Sequence, residues 1–186
     1  RRQRQMCIRD RSSYRREKCL ELMKIIHPTC IRGNYSEIQA LLHNCGTVTG
    51  VDAAEDALAE AEETDLPELM KQYAKENQMI LVASGETDLI TDGSCVYQCH
   101  NGSPMMARIT GSGCMSTVML GAFLSAENSV ESAVACCAFT GIAGELAAKE
   151  MTVQKRGTMT FRNWFIDAVS LMTPEQLEHG TNVDWF

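Results

Sequence analysis

Apolar residues in Glu17–Ile26 (EKCLELMKII) recur at helical spacing, and Pro28 ends the helix they predict. Thr29–Arg32 (TCIR) reads as a short buried strand. Gly33 turns the chain, and Asn34 with Glu37 has the form of a capping box that opens a helix over Tyr35–His43. A polar stretch from Asn44 to Thr64 follows, partly helical through DAAEDALAEAEE. Leu66–Glu76 is an amphipathic helix. Met79–Ser84 (MILVAS) is an unbroken apolar run, the pattern of a strand covered on both faces.

Leu89–Thr91 and Cys95–Cys99 flank Asp92-Gly93, a hairpin signal. Met105–Ile109 reads as an extended run that leads into Thr110-Gly111-Ser112-Gly113-Cys114. Cys114–Ala126 and Val130–Lys149 are helices rich in small and apolar residues, and Thr158–Leu171 is a third, amphipathic one. Thr173-Pro174-Glu175-Gln176 starts a short last helix with proline at its first position. Strands come first, alternate with helices and then give way to helices, which predicts a layered α/β domain.

Composition leaves that picture standing. With 186 residues, 45% hydrophobic and 22% charged, the chain is long enough for one sizeable domain and is ordinary for a globular protein. No window of 18 consecutive apolar residues occurs, so no membrane span is expected. Charge is uneven. Residues 1–16 hold seven Arg and one Asp, leaving ten basic and 23 acidic residues in the rest. An acidic body makes nucleic acid an unsuitable partner. The basic head has no amphipathic run and no apolar core segment of a leader. Residues 1–12 are therefore expected to be a non-native or disordered leader, and 13–186 one domain. Nine cysteines, an odd number without a CxxC pair, read as thiols of a reducing compartment. Cys95, Cys99 and His100 alternate on a strand-like run and are read as strand positions before metal ligands.

Three segments carry candidate chemistry. Gly111-Ser112-Gly113-Cys114 precedes and opens a helix. Glycines allow close backbone approach, and the first helical amides carry partial positive charge without internal partners. Such a turn suits an anion or a phosphoryl group in transit, and equally a tight packing turn. Cys114 could serve as nucleophile, as base for a substrate hydroxyl, or only as a small side chain. In Ile31-Arg32-Gly33-Asn34-Tyr35-Ser36-Glu37, Arg32 can hold phosphate oxygens with its planar fork, and Glu37 can bind Mg²⁺. A surface ion pair and a capping carboxylate are the plainer fates of these two. Ser84, in the polar turn ending the MILVAS run, could bond a nucleotide phosphate, since α/β folds bind ligands at strand carboxyl ends.

Taken together, IRGNYSEI, SGETDLITDG and HNGSPMMARITGSGCMSTVMLGAF resemble the hydroxyethylthiazole kinase family of the ribokinase-like superfamily in wording, order and spacing, from about Ser13 to Ala168. The resemblance implies a layered α/β/α fold with a central, mostly parallel sheet. It also implies ATP- and Mg²⁺-dependent phosphorylation of the hydroxyl of 4-methyl-5-(2-hydroxyethyl)thiazole in thiamine biosynthesis. By the same resemblance Arg32 and Ser84 contact ATP; Ser84 replaces the family's threonine, keeping the hydroxyl and losing a methyl. Glu37 lies near the metal, Gly111 contacts the thiazole, Cys114 is the active-site cysteine, and the Gly111, Ser112, Gly113 and Cys114 amides form an anion hole. The family is cytoplasmic and trimeric, with sites between subunits. Complete members carry a further amino-terminal βα region, so a carboxyl-terminal portion with an uncovered sheet edge is expected here.

Alternatives remain at this point: a hydroxymethylpyrimidine or pyridoxal kinase, against which Cys114 argues; a ligand-binding relative without catalysis; and thiol redox chemistry at Cys114. Phe161, Trp164 and Phe165 share a helical face and read as core or adenine-pocket wall. Methionines read as adaptable core filler, and Trp185-Phe186 as a frayed, exposed end.

Overall fold

The computed structural model describes residues 13–44 and 66–186. The expected leader and the DAAEDALAEAEE helix lie outside the described residues. The described chain is mixed α/β. Its elements run α1 (Ser13–Ile26), β1 (Cys30–Asn34), α2 (Tyr35–Asn44), α3 (Leu66–Asn77), β2 (Ile80–Ser84), β3 (Asp88–Thr91), β4 (Val96–Cys99), α4 (Ser112–Ala126), α5 (Val130–Val153), α6 (Thr158–Leu171), α7 (Pro174–Gly180) and β5 (Val183–Trp185). They divide into two compact units. One runs to Ser84 and takes in Thr91–Val96; the other comprises Gly85–Ile90 and Tyr97–Phe186.

In the first unit β1 and β2 pair in parallel, with Cys30 beside Ile80 and Asn34 beside Ser84. Parallel neighbours need a crossover connection, and α2 and α3 belong to it. The MILVAS run is buried from Met79 to Ala83, as an unbroken apolar strand requires. Ile38 and Leu42 of α2 and Leu66, Met70, Tyr73 and Ala74 of α3 bury the apolar stripes of those helices. The Asp92-Gly93 turn is held by its own side chains. Gly93 N and the Cys95 carbonyl both bond the Thr91 hydroxyl, at 3.0 and 2.6 Å. Gly93 takes φ 96°, and a Cβ there would come within 2.5 Å of the Lys75 backbone nitrogen.

The second unit is built around α5, 24 residues of mostly small and apolar side chains. By length and composition α5 could cross a membrane, but 61% of its most apolar window is buried within the protein, which is the habit of a core helix. Phe161 and Phe165 of α6 are fully buried against Ala143 and Ala147 of α5, with Ile109 joining them. Trp164 is only half-buried against that cluster, and Met105, Met106, Met115 and Met119 fill its margins. These aromatics are therefore core. α4 is almost wholly apolar yet buries only Ser116 and Leu120, leaving Val118 74% exposed.

Two expectations are corrected here. Met105–Ile109 is not an extended run; Pro104–Arg108 forms a 3-10 helix, with Ser103 capping the Met105 amide at 3.3 Å. Proline at a first helical position after a serine is a helix-start signal. The tail is not a frayed end either. Val183–Trp185 forms β5, antiparallel to β4, with Tyr97 beside Trp185 and Cys99 beside Val183. Trp185 itself stays exposed.

Candidate active site

Glu37 and Ser84 meet around Gly33 in the first unit, at the carboxyl ends of the parallel strands, and Arg32 lies mid-strand in β1, next to Gly33 in sequence. The register sets Arg32 opposite Val82 and Asn34 opposite Ser84. The Ser84 hydroxyl donates to the Gly33 carbonyl at 3.2 Å. Gly33 has no room for a side chain: a Cβ would stand 3.0 Å from Glu37 Cβ and 3.1 Å from Glu37 Oε2. Glycine thus lets the first turn of α2 fold down over the strand end.

The capping box forms as read. Asn34 Oδ1 accepts the Glu37 amide at 2.9 Å, and Glu37 Oε2 accepts the Asn34 amide at 3.0 Å. Glu37 Oε1 accepts Asn34 Nδ2 at 2.9 Å, and Ser36 Oγ donates to Asn34 Oδ1 at 2.8 Å. Both carboxylate oxygens of Glu37 are oriented by one neighbour. Each accepts one of these bonds, and a carboxylate offers about four acceptor positions in all, so Glu37 keeps capacity for a hard cation. Beyond Ser84, the turn is closed by Asp88 Oδ1, which accepts the Gly85 amide at 3.0 Å.

Gly111, Ser112, Gly113 and Cys114 belong to the second unit. Gly111 is the N-cap of α4 in the left-handed region, φ 97° and ψ −2°, and no side chain caps the helix. The Gly111 carbonyl accepts the Met115 amide at 2.9 Å. The two following carbonyls take hydroxyls: Ser116 Oγ on Ser112 and Thr117 Oγ1 on Gly113, both at 2.9 Å. Cys114 is exposed on the first turn. With a glycine cap, the start of α4 has no side-chain acceptor for its first amides.

The sequence reading missed Asn101 and Glu145. Asn101 is 8% exposed. Its Nδ2 donates to Glu145 Oε1 at 3.1 Å and to the Gly180 carbonyl at 2.8 Å. Its Oδ1 accepts the Asn182 amide at 2.8 Å, and Glu145 Oε1 also accepts the Gly102 amide at 2.8 Å. Asn101 belongs to the HNG string, but its partners Glu145 and Asn182 lie 44 and 81 residues away. Beside it, burial pushes the Cys99 thiol up to about 11, with a hydrogen bond from Asn101 opposing and Asp88 and Glu145 adding to the rise. Next to it, His100 bridges Thr87 Oγ1 at 3.2 Å and Asp184 Oδ2 at 3.3 Å.

The model of the hydroxyethylthiazole kinase family matches residues 10–175. The chain is 37% identical over 166 residues to hydroxyethylthiazole kinase 1 of Methanosphaera stadtmanae, covering 86% of this chain and 58% of that protein. It is 33% identical over 175 residues to the hydroxyethylthiazole kinase of Staphylococcus carnosus, covering 93% and 63%. The chain thus spans about three-fifths of the length of these curated relatives. Among solved structures, the hydroxyethylthiazole kinase protein from Pyrococcus horikoshii superposes with a TM-score of 0.74 at 23% identity, over 93% of this chain and 60% of that one. That likeness shows the shared α/β fold.

Proposed function

Since the chain belongs to the hydroxyethylthiazole kinase family, we propose that it transfers the γ-phosphoryl group of ATP to the hydroxyl of 4-methyl-5-(2-hydroxyethyl)thiazole, a step of thiamine biosynthesis. The observation that carries this reading is the Gly111 cap: a left-handed glycine without a capping side chain, opening a helix whose first turn bears Cys114.

The residues divide the work. Arg32, in the middle of β1, and the Ser84 hydroxyl, at the end of β2, are the groups for ATP phosphate oxygens. Ser84 must then turn its proton from the Gly33 carbonyl toward the phosphate. Glu37 fits a magnesium ion, because one carboxylate supplemented by phosphate oxygens and water is the usual Mg²⁺ donor set. When bound, that ion would neutralise phosphate charge. Gly111 lies against the thiazole, and the Gly111, Ser112, Gly113 and Cys114 amides take the charge that spreads over the phosphoryl oxygens. The alcohol oxygen attacks the γ-phosphorus, the bond to the β–γ bridging oxygen breaks, and ADP leaves. Cys114 takes the hydroxyl proton. In a loose transition state little depends on the base, and most of the rate comes from positioning and charge neutralisation.

The reading extends to a cytoplasmic homotrimer that works on small molecules, with neither nucleic acid nor membrane as partner. The acidic balance beyond residue 16 supports leaving out nucleic acid, the burial of α5 supports leaving out a membrane, and the trimer and its compartment rest on the family resemblance alone. A coupled ADP-release assay tests the substrate. Release that depends on hydroxyethylthiazole and not on hydroxymethylpyrimidine or pyridoxal is expected; release with either of the others alone overturns the assignment.

A further inference from the structure

The segment that leads to the Gly111 turn lies along one stripe of α5. Gly141, Gly144 and Glu145 sit three and four residues apart, on one helical face. Each takes a different part of the segment. A Cβ on Gly141 would stand 2.5 Å from the backbone carbon and oxygen of Asn101. A Cβ on Gly144 would stand 2.5 Å from Met106 Sδ. Glu145 Oε1 receives both the Asn101 side-chain amide and the Gly102 backbone amide, at 3.1 and 2.8 Å.

Between these seats and the turn little slack remains. Gly102 has φ 153° and leaves Ser103 to cap the 3-10 helix. The Met106 amide bonds the Ser103 carbonyl at 2.9 Å. Ile109 is buried against Ala143 and Ala147 of the same helix. Two residues later Gly111 caps α4, and Met115 returns to the same cluster.

We propose that Glu145 is a positioning residue for the Gly111–Cys114 turn: its carboxylate fixes where the segment leaves β4 and so fixes the amides that open α4. It touches no reacting atom in this reading. Both amides meet one oxygen, Oε1, which accepts two donors through its two lone pairs provided the side chain has this reach. A carboxamide keeps the accepting oxygen and the length. A shorter acid keeps the charge and loses the reach.

The kinetic half of the test rests on the kinase reading; the exchange half does not. Glu145→Gln, Glu145→Asp and Glu145→Ala are made in the full chain. Backbone hydrogen exchange is followed at Met106 and Met115, with the α5 interior as internal reference. Glu145→Asp and Glu145→Ala are expected to lose roughly tenfold protection at both reporter amides while α5 keeps its own. Their kcat for thiazole phosphorylation, per folded protein, is expected to fall about 10- to 100-fold. KM for ATP is expected to hold, and Glu145→Gln to stay within about threefold of the parent on both readouts. A purely structural Glu145 would lower the melting temperature and the folded yield without moving kcat per folded protein. The proposal fails if Glu145→Asp keeps parental exchange at Met106 and Met115, or if Glu145→Gln is as impaired as Glu145→Asp. Should Glu145→Ala not fold, the Gln and Asp pair decides. Absence of turnover in the parent, with the exchange pattern as expected, would remove the kinase reading and leave the positioning role in place.

Discussion

Gly111 holds φ 97°, and nothing lies within 4 Å of the place its Cβ would take. A substitution there is therefore strained by the backbone and not by collision, and a β-branched residue suffers most. Gly111→Val is expected to lower thiazole-dependent ADP release by at least about 100-fold, since misplaced amides no longer meet the phosphoryl oxygens. Cys114→Ser is expected to keep measurable release, because a loose transition state asks little of its base. Equal turnover in the two variants would defeat that ranking. Cys99 answers to pH. Its ordinary value is 9.0 and burial pushes it to about 11 in the folded chain. The unfolded chain therefore loses this proton first. The stabilisation is complete below pH 9 and is lost as pH rises through 11, at most about 3 kcal/mol. Melting temperatures of the parent and Cys99→Ala, compared from pH 8 to 11, isolate it: the gap between them should narrow with rising pH. At this scale local strings were readable, because TGSGC and N-x-x-E act on their own neighbours. Asn101 was not, because the partners that tie it to α5, α7 and the start of β5 lie 44 to 81 residues away.

Elements that carry a full period were readable, and those that do not were missed. The capping box of α2 spans four residues, so Asn34 and Glu37 announce it. Asn34→Ala removes the cap and one of the two bonds that hold the Glu37 carboxylate, the one from Asn34 Nδ2, while the backbone amide keeps the other. A loss of about 1 kcal/mol is expected, read as a lower urea midpoint, together with a weaker Mg²⁺ dependence of ADP release. The Asp92-Gly93 turn was equally legible, and the structure adds the reason for its glycine. Gly93→Ala must adopt φ 96° and approach the Lys75 backbone, at a cost on the order of 2–4 kcal/mol. An unchanged urea midpoint would show that the turn can shift away from α3. By contrast, Pro104–Arg108 is one turn long, and its apolar MM pair imitates a strand. β5 has three residues, too few to show alternation, and it exists only by pairing with β4.

For the molecule as a whole, long helices and the apolar strand β2 announce an α/β chain, while the polar ties that join distant segments of its second unit beside its apolar core do not show in the sequence. Asn101 is the clearest of them, bonding β4's exit to α5, to the end of α7 and to the start of β5. Asn101→Ala leaves the Gly180 carbonyl and the Asn182 amide without this partner. Gly180 is half-buried and Asn182 exposed, so water replaces part of each lost bond; at a net of about 1 kcal/mol per hydrogen bond, a destabilisation of about 2 kcal/mol is expected by urea unfolding. Removing Thr181–Phe186 deletes one of those stranded groups along with β5. In the shortened chain Asn101→Ala should therefore cost less than in the full one, by about 1 kcal/mol, a coupling that a double-mutant cycle resolves. If the two changes simply add, Asn101 does not hold the carboxyl-terminal strand, and its burial must be explained by the Glu145 side alone.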